Sequence, residues 1–396
     1  MRIRVLYVGN EYRTSWGTVA SLSLLGDEVV FVDVIHSRMT RQHRSDSYRN
    51  ICREEVDVML FEGLKVKLTG LQWILHSKNT LSRMWALELK ELLSRMGFKP
   101  DIVVTRGAAN FYVGFFISKF FKTPLVLHIA SIRGLKFPAF VIYKKQYSEL
   151  IRAPLSITHH ILQCNVANAT ILSEWFTYSV LRKFTCKPLF VIEPTFALRM
   201  SSDKVKSDNI QIPSKPYALS LISGYRITSN EALETEQFKI LLNIAAQVHD
   251  IPFVVVGVSP EEAITVQKRI PENVIFTGRI NDDNLLRYIY ENACVVVNPI
   301  LLRSQSNRFL EALFYGKTII TTSLCTSFYK GLRNLNHVII EDDFARYPYW
   351  IRKLFKNSRM RQKIEKGASQ YFSLIFSPIR HGKLFHRVLE WVLESS

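Results

Sequence analysis

Within SQSNRFLEALFYGKTIITT, residues 304–322, an amide, a guanidinium and a carboxylate fall inside five positions: Asn307, Arg308 and Glu311. A carboxylate accepts two hydroxyl hydrogens at once, and a guanidinium beside free backbone N–H groups suits a phosphate. Asn307 and Glu311 stand four apart, Arg308 and Glu311 three apart. On a helix the three gather on one side while Phe309, Leu310, Leu313 and Phe314 face a core. Ser304 or Ser306 can cap the first turn and Gly316 can end the last, which predicts a helix of about three turns. The same spacing fits a solvated face carrying an i,i+3 ion pair, so the elements around the helix must decide between the two.

Those elements alternate. IRVLYVG (3–9), VVFVDVI (29–35), DIVVT (101–105), PLVLHI (124–129), NATILS (168–173) and PLFVIE (188–193) read as strands, most of them without polar alternation. Strands apolar on both faces imply a parallel sheet wrapped by helices, two of which run over roughly Leu81–Met96 and Tyr147–Leu162. SSDKVKSDNIQIPSKP (201–216) is polar, bears prolines and reads as a linker. The pattern then restarts with YALSLIS, PFVVVGV, NVIFTG, CVVVNP, TIITT and HVIIE, separated by helices starting near Glu236, Glu261, Asp283, Ser306 and Asp343. The expected fold is therefore α/β, with two doubly wound, Rossmann-like parallel-sheet domains facing a central cleft in which ligand meets the carboxyl ends of the strands. The domains expected are 1–200, a linker at 201–216, and 217–376. An amphipathic helix at 377–396 is able to pack back on the N-terminal domain.

Composition limits the function classes. The chain has 396 residues, 47% of them hydrophobic, and a formal net charge of +18. Its 5 cysteines are scattered without CxxC pairing, which argues against a disulfide framework or structural zinc and fits a reducing cytoplasm. The first apolar run ends at Gly9 and Asn10 and reads as a strand rather than a signal peptide. Lys119, Lys122, Arg133 and Lys136 interrupt the richest apolar region, so no spanning helix is expected. The positive charge favours phosphates or anionic lipid headgroups. From Lys119 to Arg152, cations interleaved with Phe120, Phe121, Phe137, Phe140 and Tyr143 meet a single acid, Glu149. That stretch fits a peripheral contact with an anionic membrane, and equally core aromatics with solvated lysines between them. Nucleic acid is an unexpected partner, because no recognition element accompanies the charge.

The order of pieces from VIFTGRINDDNLLRYIYENACVVVNP to SNRFLEALFYGKTIITTSL resembles the C-terminal half of the retaining glycosyltransferases of family four, which have the two-domain GT-B fold. YVGNEYRTSWG and LLGDEVVFVDV also look like the spore-maturation-type branch of that superfamily. The resemblance implies a glycosyltransferase that moves a sugar, with retention, from a nucleotide-diphosphate sugar to a hydroxyl of a glycan or lipid-linked acceptor. Neither a further cofactor nor a metal is implied. It assigns Glu311 to the donor's ribose hydroxyls, and Ser304, Ser306, Asn307 and Arg308 to the diphosphate. Arg226, in LISGYRITSN, would grip the pyrophosphate, and Gly278 with Arg279 would lie beside the base. His128 would face the donor sugar, with a satisfied histidine at a strand end as the other reading. Gly9, Asn10 and Gly17 would form the loop where acceptor and donor approach the first helix.

Two departures stand out: Arg303 replaces the family's earlier glutamate, and the lysine that usually follows the Arg226 position has no counterpart. A sugar-nucleotide epimerase of the same fold and a catalytically silent binding protein are the rival expectations. His159 and His160, between apolar residues, read as structural, and the acidic pairs Asp282–Asp283 and Asp342–Asp343 read as helix starts.

Overall fold

A computed structural model describes residues 1–9, 13–34, 57–61, 78–108, 110–130, 132, 135, 149–195, 212–214, 216–222, 227, 232–280, 282–301 and 307–396. The chain divides into two compact units. The first takes Met1–Phe137, Ser148–Leu198 and Phe376–Ser396, and the second Pro138–Tyr147 and Arg199–Ile375.

In the first unit, β1 (Arg4–Gly9), α1 (Arg13–Ser23), β2 (Glu28–Val34), β3 (Asp57–Phe61), α2 (Lys78–Arg95), β4 (Ile102–Arg106), α3 (Phe111–Phe121), β5 (Leu125–Ile129), α4 (Glu149–Val166), β6 (Ala169–Leu172), α5 (Trp175–Leu181) and β7 (Leu189–Val191) follow in order. The strands make one parallel sheet, β3-β2-β1-β4-β5-β6-β7. Alternate residues of β1 serve opposite faces: Leu6 and Val8 join α2, α3, α4 and α5, while Ile3, Val5 and Tyr7 join α1 and the last helix. Burial on both sides is why the strands read as unbroken apolar runs. The sequence reading overlooked β3, DVMLF, which is framed by charged residues.

The second unit contains β8 (Tyr217–Leu221), α6 (Ala232–Gln247), β9 (Phe253–Val256), α7 (Pro260–Val266), β10 (Val274–Phe276), α8 (Asp283–Asn292), β11 (Ala293–Asn298), α9 (Asn307–Phe314), β12 (Ile319–Thr321), α10 (Ser323–Thr326), β13 (Ile339–Ile340), α11 (Tyr347–Lys356) and α12 (Ser358–Ile375). Its sheet runs β10-β9-β8-β11-β12-β13, all parallel. Both sheets therefore reverse direction beside their first strand, at β1/β4 and β8/β11, where doubly wound sheets bind ligands. Local chemistry sets the helix starts: Asp282 accepts from the Asn284 and Leu285 amides to cap α8, and Ser259 and Glu262 form a capping box on α7. Asp343 caps a short 3-10 turn through the Ala345 amide, and Asp342 accepts from the Ser323 amide.

The last helix, α13 (Pro378–Ser395), belongs to the first unit and lies against α1. Gly382 allows that contact, because a Cβ there would sit 2.4 Å from the Ser21 carbonyl oxygen. Among the described residues no helix is long and apolar enough to cross a membrane.

Candidate functional site

In the second unit, the segment leaving β11 is held by polar ties. Asn298, the last residue of β11, donates through Nδ2 to Thr321 Oγ1 (3.5 Å) and Cys325 Sγ (3.9 Å), and its carbonyl accepts from Thr321 Oγ1 (2.9 Å). The Thr322 hydroxyl donates to the Ile300 carbonyl (2.9 Å), and Gln237 Nε2 to that of Pro299 (2.7 Å). The Asn-Pro and Thr-Thr pairs of the sequence thus fix the chain at Asn298–Ile300, where it leaves β11. The helix itself spans eight residues, a little over two turns instead of the expected three. It ends in a Schellman arrangement: Gly316, at φ +61°, donates to the Leu313 carbonyl and Lys317 to that of Ala312.

Phe314, expected in the core, is only half-buried, while Phe309, Leu310 and Leu313 are buried as the pattern predicts, and Ala312 with them. Glu311 is buried with them, at 6% exposed, so a solvated face does not describe it. Its Oε2 accepts from the Tyr290 hydroxyl at 3.3 Å, and the Tyr290 ring stacks on Tyr315 with centroids 4.6 Å apart. Arg308, at the second position of α9, is half-buried. Asn307 starts the helix, but its side chain, like Ser304, Ser306 and Arg226, lies outside the described residues.

Gly278 follows β10 at φ +65°. Its N–H donates to the Val258 carbonyl (2.9 Å), and its carbonyl accepts from the Gly257 N–H (2.8 Å) and Thr277 Oγ1 (2.9 Å). Gly257, at φ +93°, would place a Cβ 2.1 Å from the Ile222 carbonyl oxygen. These two glycines lace the carboxyl ends of β8, β9 and β10 into one closely spaced backbone layer, with Arg279 exposed beside it. Gly278 follows β10 and α9 follows β11, two strands that stand three spacings, roughly 14 Å, apart in the sheet. Gly257 was missed in the sequence, where the capping box that follows VVVGV marks a strand-to-helix turn.

The first unit carries a buried polar network at the carboxyl ends of its central strands. His128, the fourth residue of β5, is 1% exposed, with Nδ1 2.8 Å from the Tyr7 hydroxyl and Nε2 3.3 Å from Ser173 Oγ. Arg106, closing β4, donates to the same tyrosine oxygen at 3.5 Å. Burial, aided by the positive charge of Arg106, pushes the His128 imidazole well below its usual range, so it is neutral at physiological pH. Burial likewise raises the Tyr7 phenol. From α13, His381 donates through Nδ1 to the Glu193 carbonyl (2.8 Å), so its Nε2 accepts from Thr18 Oγ1 (3.1 Å). Burial lowers it to about 4. The edge of Phe385 packs against the His128 ring, centroids 5.4 Å apart. Gly9 ends β1 tightly, since a Cβ there would lie 3.2 Å from the Tyr7 ring and 3.3 Å from Arg106 Cβ. Gly17 is not in a loop: it lies inside α1, where its carbonyl accepts from the Ser21 hydroxyl. Asn10 lies outside the described residues. Tyr7, Arg106, Ser173 and His381 escaped the sequence reading because residues 45 to 363 positions apart along the chain make these contacts.

A family model described as glycosyl transferases group 1 matches residues 227–346. Among curated proteins none matches this sequence. Among solved structures the chain is similar to sucrose-phosphate synthase (tll1590) from Thermosynechococcus elongatus, at 13% identity and TM-score 0.70, with 100% of each chain covered. It is also similar to Alr3699/HepE of Anabaena in complex with UDP and glucose, at 12% identity and TM-score 0.66, covering 98% of this chain and 100% of that one. A putative UDP-N-acetylglucosamine 2-epimerase from Listeria monocytogenes matches at 12% identity and TM-score 0.61, over 100% and 98% of the two chains. At these identities the likeness is one of fold. The chain therefore has the α/β architecture of the GT-B fold, and residues 227–346 of its second unit match the glycosyl transferases group 1 model.

Proposed function

We propose that the chain is a nucleotide-sugar-dependent glycosyltransferase. The observation that carries this reading is Glu311: a buried carboxylate on the helix after β11, inside the matched segment and beside the switch point of a 3-2-1-4-5-6 sheet. In this reading Glu311 accepts from the two ribose hydroxyls of the donor. Arg226, Arg308 and the first N–H groups of α9, with Ser304, Ser306 and Asn307, receive the diphosphate and stabilise the charge that grows on it as the sugar departs. The acceptor hydroxyl attacks the anomeric carbon, the bond from that carbon to the diphosphate oxygen breaks, and the leaving phosphate oxygen takes the acceptor's proton. The sugar then keeps its anomeric configuration, and no metal has a step.

The tight layer around Gly278 gives the base a wall, with Arg279 at its edge. The reading assigns Gly9, at the end of β1, and Gly17, within α1, to the acceptor side together with Asn10. The neutral His128, buried with both ring nitrogens engaged by Tyr7 and Ser173, is a positioning residue that orients those two side chains, since a proton-shuttling imidazole would need a pKa nearer the working pH.

HepE of Anabaena is described with UDP and with UDP-glucose, so uridine nucleotides are the first donors to try. The protein should retain or bind a nucleotide sugar, identified by mass spectrometry of the purified material, and should release nucleoside diphosphate faster when an acceptor glycan or lipid-linked sugar is present. Absence of nucleotide binding across the common nucleotide sugars overturns the reading. The fold shared with the Listeria putative epimerase supports a second reading, isomerisation of the donor itself. Conversion of the sugar in an incubation with donor alone would replace the transferase assignment.

A further inference from the structure

On the first unit, α4 sends Ala153, His160 and Cys164 inward and turns Ile151, Leu155, Leu162 and Val166 outward. Those four are 72%, 64%, 60% and 52% exposed. Their steps of four, seven and four place them in one line along the helix, a position normally given to polar residues on a water-facing helix. Val166 also lines a 330 Å³ pocket at the ends of α3 and α4, where Phe115, Pro124 and Leu125 form apolar wall, Lys119 and Lys122 supply charge, and Ser396, just after α13, closes one side. The neighbouring lysines lie against aromatic rings of α3: the Lys119 ammonium is 5.5 Å from the Phe115 centroid, and Lys90 of α2 is 5.6 Å from that of Phe120. The pocket therefore continues the apolar line and adds positive charge to it.

Contiguous exposed apolar surface marks a contact with another protein or with lipid, and charge decides between them. Lys119, Lys122 and Arg152 flank the line, while the acids of α2, α3 and α4 are Glu149 at the first position of α4 and Glu88 and Glu91 of α2, the last 3.8 Å from Arg95, and α13 adds Glu390 and Glu394. An apolar stripe bordered by cations, on a chain of net charge +18, matches a helix lying in a bilayer interface. Lysine and arginine stems can lie along the apolar region while their charges reach phosphates.

We propose that α4 docks this unit on an anionic bilayer. Ile151, Leu155, Leu162 and Val166 enter the boundary between headgroups and acyl chains, Lys119, Lys122 and Arg152 meet lipid phosphates, and the pocket admits a headgroup. This goes beyond the transferase reading and does not depend on it.

The test is co-sedimentation of the full chain, without nucleotide, with phosphatidylglycerol-containing vesicles and with pure phosphatidylcholine vesicles at low and high salt. Binding should require the anionic lipid and weaken with salt. Lys119→Glu with Lys122→Glu, and separately Leu155→Asp with Leu162→Asp, should each lower anionic-vesicle affinity about tenfold or more while the melting curve stays that of the parent. Leu155→Trp provides a second measurement, with emission that shifts to the blue on anionic vesicles and not on neutral ones. Equal binding to both vesicle types, or either double variant binding like the parent, overturns the proposal. So does a dimeric parent in light scattering that the Leu155→Asp, Leu162→Asp variant makes monomeric, because a second copy would then cover the stripe. UDP-sugar binding measured on the same samples reports the transferase reading separately, so either can fail alone.

Discussion

Glu311 sits where a carboxylate is costly unless its oxygens are bonded, and the Tyr290 hydroxyl supplies one such bond. Charge and acceptance can be separated at this residue. In Glu311→Gln the amide oxygen still accepts from Tyr290, while the negative charge for a ribose diol is lost. We expect Glu311→Gln to melt close to the parent and to bind donor more weakly by about 1.5–3 kcal/mol, the usual worth of a charged hydrogen bond. Glu311→Ala should lose comparable affinity and, by leaving the tyrosine hydroxyl without this acceptor, about 1–3 kcal/mol of stability as well. Calorimetric titration with a UDP-sugar alongside melting curves tests both. A Glu311→Gln protein that binds like the parent would make Glu311 an anchor for Tyr290 and nothing more. Arg308→Ala should depress turnover more than ground-state binding, because it acts on charge that develops as the diphosphate leaves, and initial rates over a range of donor concentrations separate the two. The spacing of Asn307, Arg308 and Glu311 drew attention to this helix from sequence. Tyr290 could not be read there, since a partner 21 residues away leaves no trace in periodicity.

At the scale of elements, apolar runs located the strands because both faces of each sheet are covered, and capping residues located several helix starts. What periodicity could not supply was the contact between elements. Gly257 and Gly382 look ordinary in the sequence, yet each lies where two backbones meet. At Gly257 a methyl group would collide with the Ile222 carbonyl oxygen in a left-handed backbone that alanine disfavours, so neither rotamer change nor side-chain movement relieves it. At Gly382 the obstruction is the Ser21 carbonyl oxygen of α1, although the helical backbone itself is ordinary. Gly257→Ala should therefore destabilise the second unit by about 2–4 kcal/mol and Gly382→Ala the first by somewhat less, in the range of overpacking penalties. Urea melts resolved by hydrogen exchange would assign each loss to its unit. An unchanged melt for Gly257→Ala would mean that the carboxyl ends of β8 and β9 are not held as closely as described. Gly17 illustrates the opposite error: a glycine read as loop punctuation is tolerated within α1 because the helix is packed against α13.

For the molecule as a whole, two units of the same winding order differ in what lies buried in them, and pH should reveal the difference. The first unit encloses His128 and His381 as neutral rings, whereas in the second His337 is only half-buried and more weakly lowered. Around His381 stand the Thr18 hydroxyl of α1, the Glu193 carbonyl, the Phe385 ring of its own helix and, at longer range, the Arg106 guanidinium of β4. A proton on Nε2 would remove the acceptor used by Thr18 and place positive charge in a dry site near another cation. The folded pKa, about 4, lies below the ordinary 6.5, so the unfolded chain binds the proton first as pH falls. The stabilisation is full above pH 6.5 and is lost progressively from there down to pH 4. From His381 alone the first unit should be about 2 kcal/mol less stable at pH 5 than at pH 7, and His128 adds in the same direction. His381→Gln keeps a donor for Glu193 and an acceptor for Thr18 without titrating, and should remove much of that acid sensitivity. Hydrogen exchange at the two pH values, corrected for intrinsic rates, should show the loss in the first unit and little in the second. Equal acid sensitivity in both units, or a His381→Gln protein as acid-labile as the parent, would place the proton uptake somewhere other than beneath α13.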